Sequence, residues 1–174
     1  MPEVIKCFPP IVNSNTKVLI LGSLPGIKSL KLGQYYAHPQ NQFWYFIGRL
    51  LGKQDFISKT YSERVQNCFN KGLGIGAAIV SGEREASADS TIRKAKAIDL
   101  AQLIYEHNIK SLNAVFFEGR KAQEIFMKQT YSDLDLELKN KIVFHYLPSS
   151  SPAYAAMNVQ TKWENWKIVQ GYLK

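Results

Sequence analysis

The chain has 174 residues, of which 45% are hydrophobic and 21% are charged. A chain of this length buries enough apolar surface for one domain, and this composition excludes a disordered protein and a coiled coil. Lysine and arginine outnumber aspartate and glutamate by 22 to 14, which gives a formal net charge of +8. This positive excess favours an anionic partner, with nucleic acid as the leading candidate.

The cysteines and histidines do not have the spacing of metal ligands. They are scattered along the chain as Cys7, His38, Cys68, His107 and His145. We therefore expect neither a metal nor an iron–sulfur site. The first residues lack the apolar segment of a signal peptide, and no run approaches the ~20 apolar residues that span a bilayer. These features predict a cytoplasmic protein with reduced thiols and no membrane contact.

The first predicted strand is the continuous apolar run 18–21, which Gly22 ends. Such a run is typical of a strand that is covered on both faces. The next predicted element is a helix from Asn41 to about Gly52, because the apolar residues that follow Asn41 have helical spacing. They are Phe43, Phe46, Ile47, Leu50 and Leu51.

The later elements alternate between the two types. In chain order we predict a helix at 61–70, a strand at 75–80, a helix after Asp99, a strand at 114–117, a helix at 120–128, a strand at 142–147 and a helix from Asn158. This alternation predicts an α/β fold with a mainly parallel sheet and helices on both faces.

In open sheets of this kind, ligands bind beyond the carboxyl ends of the strands. This rule selects the segments 22–41, 81–92 and 148–157. The first segment has neither the spacing of a phosphate loop nor that of a nucleophile elbow. From the residues alone, Asn41 is best explained as a helix N-cap, and the segment 148–152 (P-S-S-S-P) as a rigid turn.

Three strings in these segments together resemble the uracil-DNA glycosylase superfamily. They are G-S-L-P-G at 22–26, Y-Y-A-H-P-Q-N-Q-F-W at 35–44 and L-P-S-S-S-P-A at 147–153. Within that superfamily the hypoxanthine-DNA glycosylases are the most similar branch, and segment 82–92 also resembles their middle region. The resemblance implies one domain over 1–174, built as a three-layer α/β/α sandwich with a short, mainly parallel central sheet. It also implies hydrolysis of the N-glycosidic bond of a damaged base that has been flipped out of DNA.

The resemblance further implies a set of site residues. Asn41 is the implied catalytic residue, because it matches the Asn of the P-x-N-x-F-W string that has this role in the hypoxanthine branch. Ser23, Leu24 and Pro25 of the first string supply no carboxylate or carboxamide, unlike most members of the superfamily. The remaining implied residues are, for the base pocket, Gly22, Ser23, Leu24, Tyr36 (or Tyr35), His38, Phe43 and Ser90, and, for DNA binding, Ser149, Ser150, Ser151 and Pro152, with Tyr154 or Met157 as the wedge.

Hypoxanthine in DNA is the expected target, and an abasic site is the expected product. We expect a monomer that needs no cofactor, since water is the only co-substrate. A uracil or G:U/G:T mismatch glycosylase is the alternative enzyme. A non-catalytic nucleic-acid-binding domain is a second alternative, because the first string, at 22–26, lacks the Asp or Asn that most members of the superfamily have there. We also expect the positive charge to concentrate near Asn41 and the segment 149–151. The basic residues Arg84, Arg93, Lys94 and Lys96 could follow the DNA backbone or form a solvated helix face.

Overall fold

The strands form two sheets in residues 2–174, the part of the chain that the computed structural model describes. In chain order they are β1 (Val4–Lys6), β2 (Val18–Gly22), β3 (Leu73–Ala77), β4 (Ile79–Glu83), β5 (Arg93–Ala97), β6 (Ala114–Glu118) and β7 (Val143–Leu147). A parallel sheet has the strand order β3-β2-β6-β7, and a smaller antiparallel sheet has the order β1-β4-β5. The parallel sheet confirms the predicted arrangement of the core.

Helices cover both faces of the parallel sheet. In chain order they are α1 (Ile27–Leu32), α2 (Phe43–Leu50), α3 (Tyr61–Asn70), α4 (Leu100–Glu106), α5 (Arg120–Gln129), α6 (Leu136–Lys141) and α7 (Val159–Trp166). Val18 and Ile20 of β2 belong to a core cluster with residues of α2 and α7, whereas Leu19 and Leu21 belong to a second cluster with residues of α4 and α5. Because successive side chains of a strand point to opposite faces, both faces are buried. The fold is therefore the expected three-layer α/β/α sandwich.

Two helix starts follow directly from the local sequence. The Asp99 side chain accepts the Gln102 N–H at 2.9 Å, and the Asn158 side chain accepts the Thr161 N–H at 2.8 Å. Each bond pairs a backbone donor that the first turn of a helix leaves free. The helix starts predicted after Asp99 and from Asn158 are confirmed.

The predicted strand at 75–80 is wrong, because two strands meet there. The backbone N–H of Ala78 donates to Gly22 at 2.7 Å, and the Ala78 carbonyl accepts the Ile98 N–H at 2.9 Å. These bonds direct the chain out of the parallel sheet after β3 and into the antiparallel sheet as β4. Segment 81–92 consequently begins within β4, and its later residues approach the carboxyl edge of the parallel sheet.

The basic middle segment is neither a helix face nor a continuous basic strip. Arg93, Lys94 and Lys96 lie on β5, and their side chains are exposed. Arg84, in contrast, is only 5% exposed.

Apolar periodicity did not predict β1, α1 or α6, which are short elements. Every helix within residues 2–174 is too short or too polar to cross a membrane.

Candidate active site

Glu118 lies at the carboxyl edge of the parallel sheet, as the last residue of β6. Its side chain is buried, with 7% of the residue exposed. Oε1 accepts the backbone N–H of Ser150 and lies 2.7 Å from Ser150 Oγ, and Oε2 accepts the Tyr36 hydroxyl at 3.2 Å. Burial raises the pKa of Glu118, and the hydrogen bonds from Ser150 and Tyr36 oppose that rise. Glu118 thus joins the loop after β2 to the loop after β7.

Tyr36 is held in place from two sides. Its φ is 53°, in the left-handed region, and its ring stacks on Phe43 with the centroids 3.6 Å apart and the planes 7° apart. Its hydroxyl reaches Glu118 across Gly22, where a β-carbon would lie only 2.5 Å from that hydroxyl. Gly22 therefore makes room for the Tyr36 ring, which residues with a larger side chain at this position would displace.

The Asn41 carboxamide uses its oxygen inside the protein. Oδ1 accepts the Phe43 N–H at 2.8 Å and contacts Ser150 Oγ at 3.0 Å. The first bond closes a turn directly before α2, whose N-cap is Gln42, so the interpretation of Asn41 as the helix N-cap is wrong. Within residues 2–174, Asn41 Nδ2 has no hydrogen-bond partner. The amide group that can donate two hydrogen bonds is therefore available to a ligand. We call Tyr36, Asn41, Glu118 and Ser150 the inner cluster.

A second polar group, the outer cluster, consists of Ser23, Arg84 and Asp89. Ser23 Oγ donates to Asp89 Oδ2 at 2.6 Å, and Arg84 Nη1 lies 3.8 Å from Asp89 Oδ1. The Arg84 guanidinium also donates to the carbonyls of Leu24, at 2.9 Å, and Pro25. The Arg84 side chain is 1% exposed, whereas that of Asp89 is 45% exposed. Partial desolvation raises the pKa of Asp89, and the bond from Ser23 and the charge of Arg84 oppose the rise.

The serines of the last loop face in different directions. Ser150 is fully buried and bonded to Glu118, whereas Ser149 and Ser151 are partly exposed. Ser149 Oγ accepts the Ser151 N–H at 3.1 Å, and Ser151 Oγ accepts the Ala153 N–H at 3.2 Å. The amine of the buried Lys162, on α7, donates to the Ser151 carbonyl at 3.1 Å and so fixes this loop to that helix. Both outer hydroxyls therefore keep their own hydrogen for another acceptor.

The other implied pocket residues have diverse surroundings. Tyr35 is 4% exposed, and its hydroxyl donates to the Phe8 carbonyl at 2.9 Å. Leu24 is buried in a small apolar cluster, whereas His38 and Ser90 are exposed. His38 Nδ1 accepts the Gln40 N–H at 3.2 Å. Of the implied pocket residues, the structure thus brings Gly22, Tyr36 and Phe43 together with Asn41, the implied catalytic residue.

The last loop also carries Pro152, an implied DNA-binding residue, and the two implied wedge residues Tyr154 and Met157. Pro152 is exposed, and Tyr154 and Met157 are partly exposed. The Lys162 amine lies 5.4 Å from the centroid of the Tyr154 ring, within the range of a cation–π contact. Tyr154 is therefore supported by α7.

Glu118 was not among the residues that sequence reasoning selected. The signal that could have identified it is an acidic residue directly after the apolar run 114–117, at the carboxyl end of a predicted buried strand. Arg84 was selected only as a basic residue that follows the DNA backbone or lies on a solvated helix face, and Asp89 lies in the segment 82–92 that resembles the family without an assigned role. Residues 2–174 contain no group of three or more His, Cys, Asp or Glu side chains that could hold a metal ion.

Some of the positive charge lies away from the carboxyl edge of the parallel sheet. Lys17 and Lys71 line a depression of about 710 Å³ beside the amino ends of β2 and β3. Lys139 and Lys141 lie on α6. The expected concentration of charge near Asn41 and the segment 149–151 stays a prediction.

The chain is similar to a known protein family, to two named proteins and to a solved structure. The family described as "Uracil DNA glycosylase superfamily" matches residues 9–171. A protein named hypoxanthine DNA glycosylase from Methanosarcina barkeri is 35% identical over 117 residues, which cover 67% of this chain and 72% of the relative. A protein of the same name from Methanosarcina acetivorans is 31% identical over 159 residues, or 90% and 94% of the two chains. A solution NMR structure of a candidate uracil DNA glycosylase from Methanosarcina acetivorans superposes with a TM-score of 0.80 at 29% identity, covering 98% of this chain and 99% of that one.

The fold, the site at the carboxyl edge and these relatives define a DNA glycosylase. More specifically, the chain belongs to the uracil DNA glycosylase superfamily.

Proposed function

We propose that this glycosylase removes hypoxanthine from DNA and leaves an abasic site. Both curated relatives described above carry the name hypoxanthine DNA glycosylase. The observation that carries the proposal is the orientation of Asn41, whose Oδ1 is occupied by Phe43 and Ser150 and whose Nδ2 is available. A donor in the base pocket suits hypoxanthine, because deamination replaces the 6-amino donor of adenine with a carbonyl acceptor.

Hydrolysis breaks the bond between the sugar C1′ and the base nitrogen, and the oxygen of water then bonds to C1′. That water loses one proton to the solvent, and the departed base takes up a proton from the solvent. Positive charge develops on the sugar, and negative charge develops on the departing base. A carboxamide is not a base at neutral pH, so the role of Asn41 is to donate a hydrogen bond to the departing base and stabilise its charge. Asp89 is the half-exposed carboxyl group of the outer cluster. Its ionised form stabilises the positive charge that develops on the sugar.

The remaining contacts position the nucleotide. Tyr36, fixed by Phe43 and Glu118, is the candidate for stacking on the flipped base. The Ser149 and Ser151 hydroxyls accept backbone N–H groups and so can donate to phosphate oxygens. Base and backbone contacts thus come from loops at the same edge of the sheet.

The test uses oligonucleotides that carry hypoxanthine, uracil or xanthine opposite each normal base. Single-turnover excision is followed by cleavage at the abasic site. We expect hypoxanthine to be removed fastest, and we expect Asn41→Ala to slow its removal about 100- to 1,000-fold, the usual effect of losing one donor to a developing negative charge.

Asn67→Ala is the matched control, because Asn67 is partly exposed on α3 and its side chain bonds to the Glu63 carbonyl of the same helix. It should leave the rate unchanged. Excision of uracil but not hypoxanthine would contradict the proposed substrate while leaving the class of enzyme intact. Excision of no base by folded protein would show that the scaffold binds DNA without catalysis.

A further inference from the structure

We propose that Glu118 is a positioning residue for Asn41, that it acts through the Ser150 hydroxyl, and that it does so as a neutral carboxylic acid. The proposal rests on the function proposed for Asn41 and adds a residue that touches neither the base nor the sugar. Glu118 and Asn41 lie at opposite ends of a row of three oxygen atoms, with Ser150 Oγ between them.

Counting protons along this row indicates the charge of Glu118. Glu118 Oε1 and Ser150 Oγ are 2.7 Å apart, and Ser150 Oγ and Asn41 Oδ1 are 3.0 Å apart. Both distances are those of O–H···O hydrogen bonds, and each such bond needs its own proton. A carboxamide oxygen has none to give, and a serine hydroxyl has one. An ionised Glu118 therefore leaves one of the two contacts without a proton.

A neutral Glu118 satisfies the whole row. Its O–H, on Oε1, donates to Ser150 Oγ, and the Ser150 hydroxyl donates to Asn41 Oδ1. Oε1 still has a lone pair for the Ser150 N–H, and Oε2 accepts the Tyr36 hydroxyl. Asn41 Oδ1 then receives the Phe43 N–H as well, so the carboxamide is fixed with Nδ2 directed away from the protein network.

Ionisation of Glu118 favours the opposite orientation of Asn41. The Ser150 hydroxyl then donates to the carboxylate, so its oxygen faces Asn41 as an acceptor. A carboxamide that turns over can donate from Nδ2 to Ser150 Oγ, but it presents an oxygen to the base and leaves the Phe43 N–H without its acceptor. Such an orientation repels the departing base instead of stabilising it.

The surroundings of Glu118 favour the neutral form. The titratable groups that face it are Tyr36 from the first loop, Asp89 from the outer cluster, Tyr146 from β7 and Lys162 from α7. Burial raises the pKa of Glu118, and the negative charge of Asp89 adds to that rise, although the hydrogen bonds from Ser150 and Tyr36 oppose it. Lys162 is the cation of this set and has the opposite effect, but its amine is bonded to the Ser151 carbonyl.

The kinetic test is a double-mutant cycle on single-turnover excision of hypoxanthine. Asn41→Ala, Glu118→Gln and the double variant are compared, with the folded state of each checked by thermal unfolding. A glutamine atom cannot both donate to Ser150 Oγ and accept the Ser150 N–H, so Glu118→Gln should slow excision about 10- to 100-fold. If Glu118 acts through Asn41, the double variant is no slower than Asn41→Ala. Multiplied losses would overturn the proposal.

A spectroscopic measurement separates this proposal from the proposed function. The side-chain amide signal of Asn41 in a ¹H–¹⁵N spectrum, assigned by its loss in Asn41→Ala, should move with pH in the wild type but not in Glu118→Gln. This readout needs no substrate, so it remains valid if hypoxanthine is not excised. An Asn41 signal with the same pH dependence in both proteins would contradict the role of Glu118.

Thr130→Val is the control for a merely structural effect. Thr130 is buried, and its hydroxyl donates to the Ile98 carbonyl at 2.7 Å. The variant loses a buried hydrogen bond on another part of the molecule and should lower the melting temperature without changing the excision rate or the Asn41 signal.

Discussion

The inner and outer clusters each contain one carboxyl group, and the two groups differ in what they can reach. Glu118 is buried, and each of its hydrogen bonds is made to Ser150 or Tyr36. Asp89 has a side chain that is 45% exposed and bonds to Ser23 at 2.6 Å. A buried carboxyl group acts on its protein neighbours, whereas a half-exposed one can also act on water and substrate. The same chemical group therefore has different uses a short distance apart.

The largest effect is expected from a substitution that fills the space at Gly22, beside the Tyr36 hydroxyl of the inner cluster. In Gly22→Ala the new β-carbon meets the Tyr36 hydroxyl, and the ring cannot retreat because it stacks on Phe43. We expect about a 100-fold loss of excision rate, typical of a displaced positioning group. Overpacking should also lower the free energy of unfolding by about 1–3 kcal/mol.

Gly171→Ala is the control for this substitution, since a β-carbon there has no atom within 4 Å. It should change neither quantity. An active Gly22→Ala enzyme with ordinary stability would show that the Tyr36 contact with Glu118 is dispensable.

The outer cluster should be sensitive to the loss of Arg84. In Arg84→Met the carbonyls of Leu24 and Pro25 lose a buried donor, and Asp89 loses its nearby cation. We expect the free energy of unfolding to fall by roughly 3 kcal/mol, measured by denaturant titration. Excision should fall as well, because Arg84 anchors the loop that carries Ser23.

Arg64→Met tests whether any anchoring arginine would behave in this way. Arg64 donates to the Lys59 carbonyl at 3.0 Å and packs on Trp44, away from both clusters. Its loss should cost about 1 kcal/mol and leave the excision rate unchanged. Equal behaviour of the two arginine variants would remove the special role of the outer cluster.

The pH dependence of stability compares the two carboxyl groups directly and should show the smallest effect. Folding raises the pKa of both Glu118 and Asp89. Each group therefore favours the folded state below its unfolded-state pKa, and this contribution is lost as the pH rises through the folded-state pKa. The free energy of unfolding should fall over that interval in the wild type, less in Asp89→Asn, and least in Glu118→Gln, whose replaced group is the more buried.

Denaturant titrations at a series of pH values measure these slopes. The comparison relies on the slopes alone, because each substitution also changes hydrogen bonds at every pH. A slope in Glu118→Gln that equals the wild-type slope would show that Glu118 has the same pKa in the folded and unfolded states.

Local patterns in the sequence predicted most of the parallel core. The apolar run 18–21 and the helix at 61–70 were located correctly because one strand buried on both faces and one complete helical period are visible within a few residues. The caps at Asp99 and Asn158 were equally local. The antiparallel sheet was missed because the change of direction at Ala78 depends on Gly22 and Ile98, which are distant in sequence.

Local patterns likewise predicted only part of the candidate site. Motif resemblance selected Asn41, Tyr36 and Ser150, and the structure brings these residues together around Glu118. Glu118 itself has no neighbouring motif, and its surroundings come from loops that no local pattern relates. The strings also could not show that Ser150 faces inward while Ser149 and Ser151 remain at the surface.

The contact between Asn41 and Ser150 has a consequence for the synthesis of the protein on the ribosome. The two residues are 109 positions apart in sequence. At a synthesis rate of about 5–20 residues per second, the ribosome adds Ser150 roughly 5–20 s after Asn41. During that interval the nascent chain has its first loop but lacks the serine that orients the carboxamide. Assembly of the inner cluster thus has to wait until the ribosome has added Ser150.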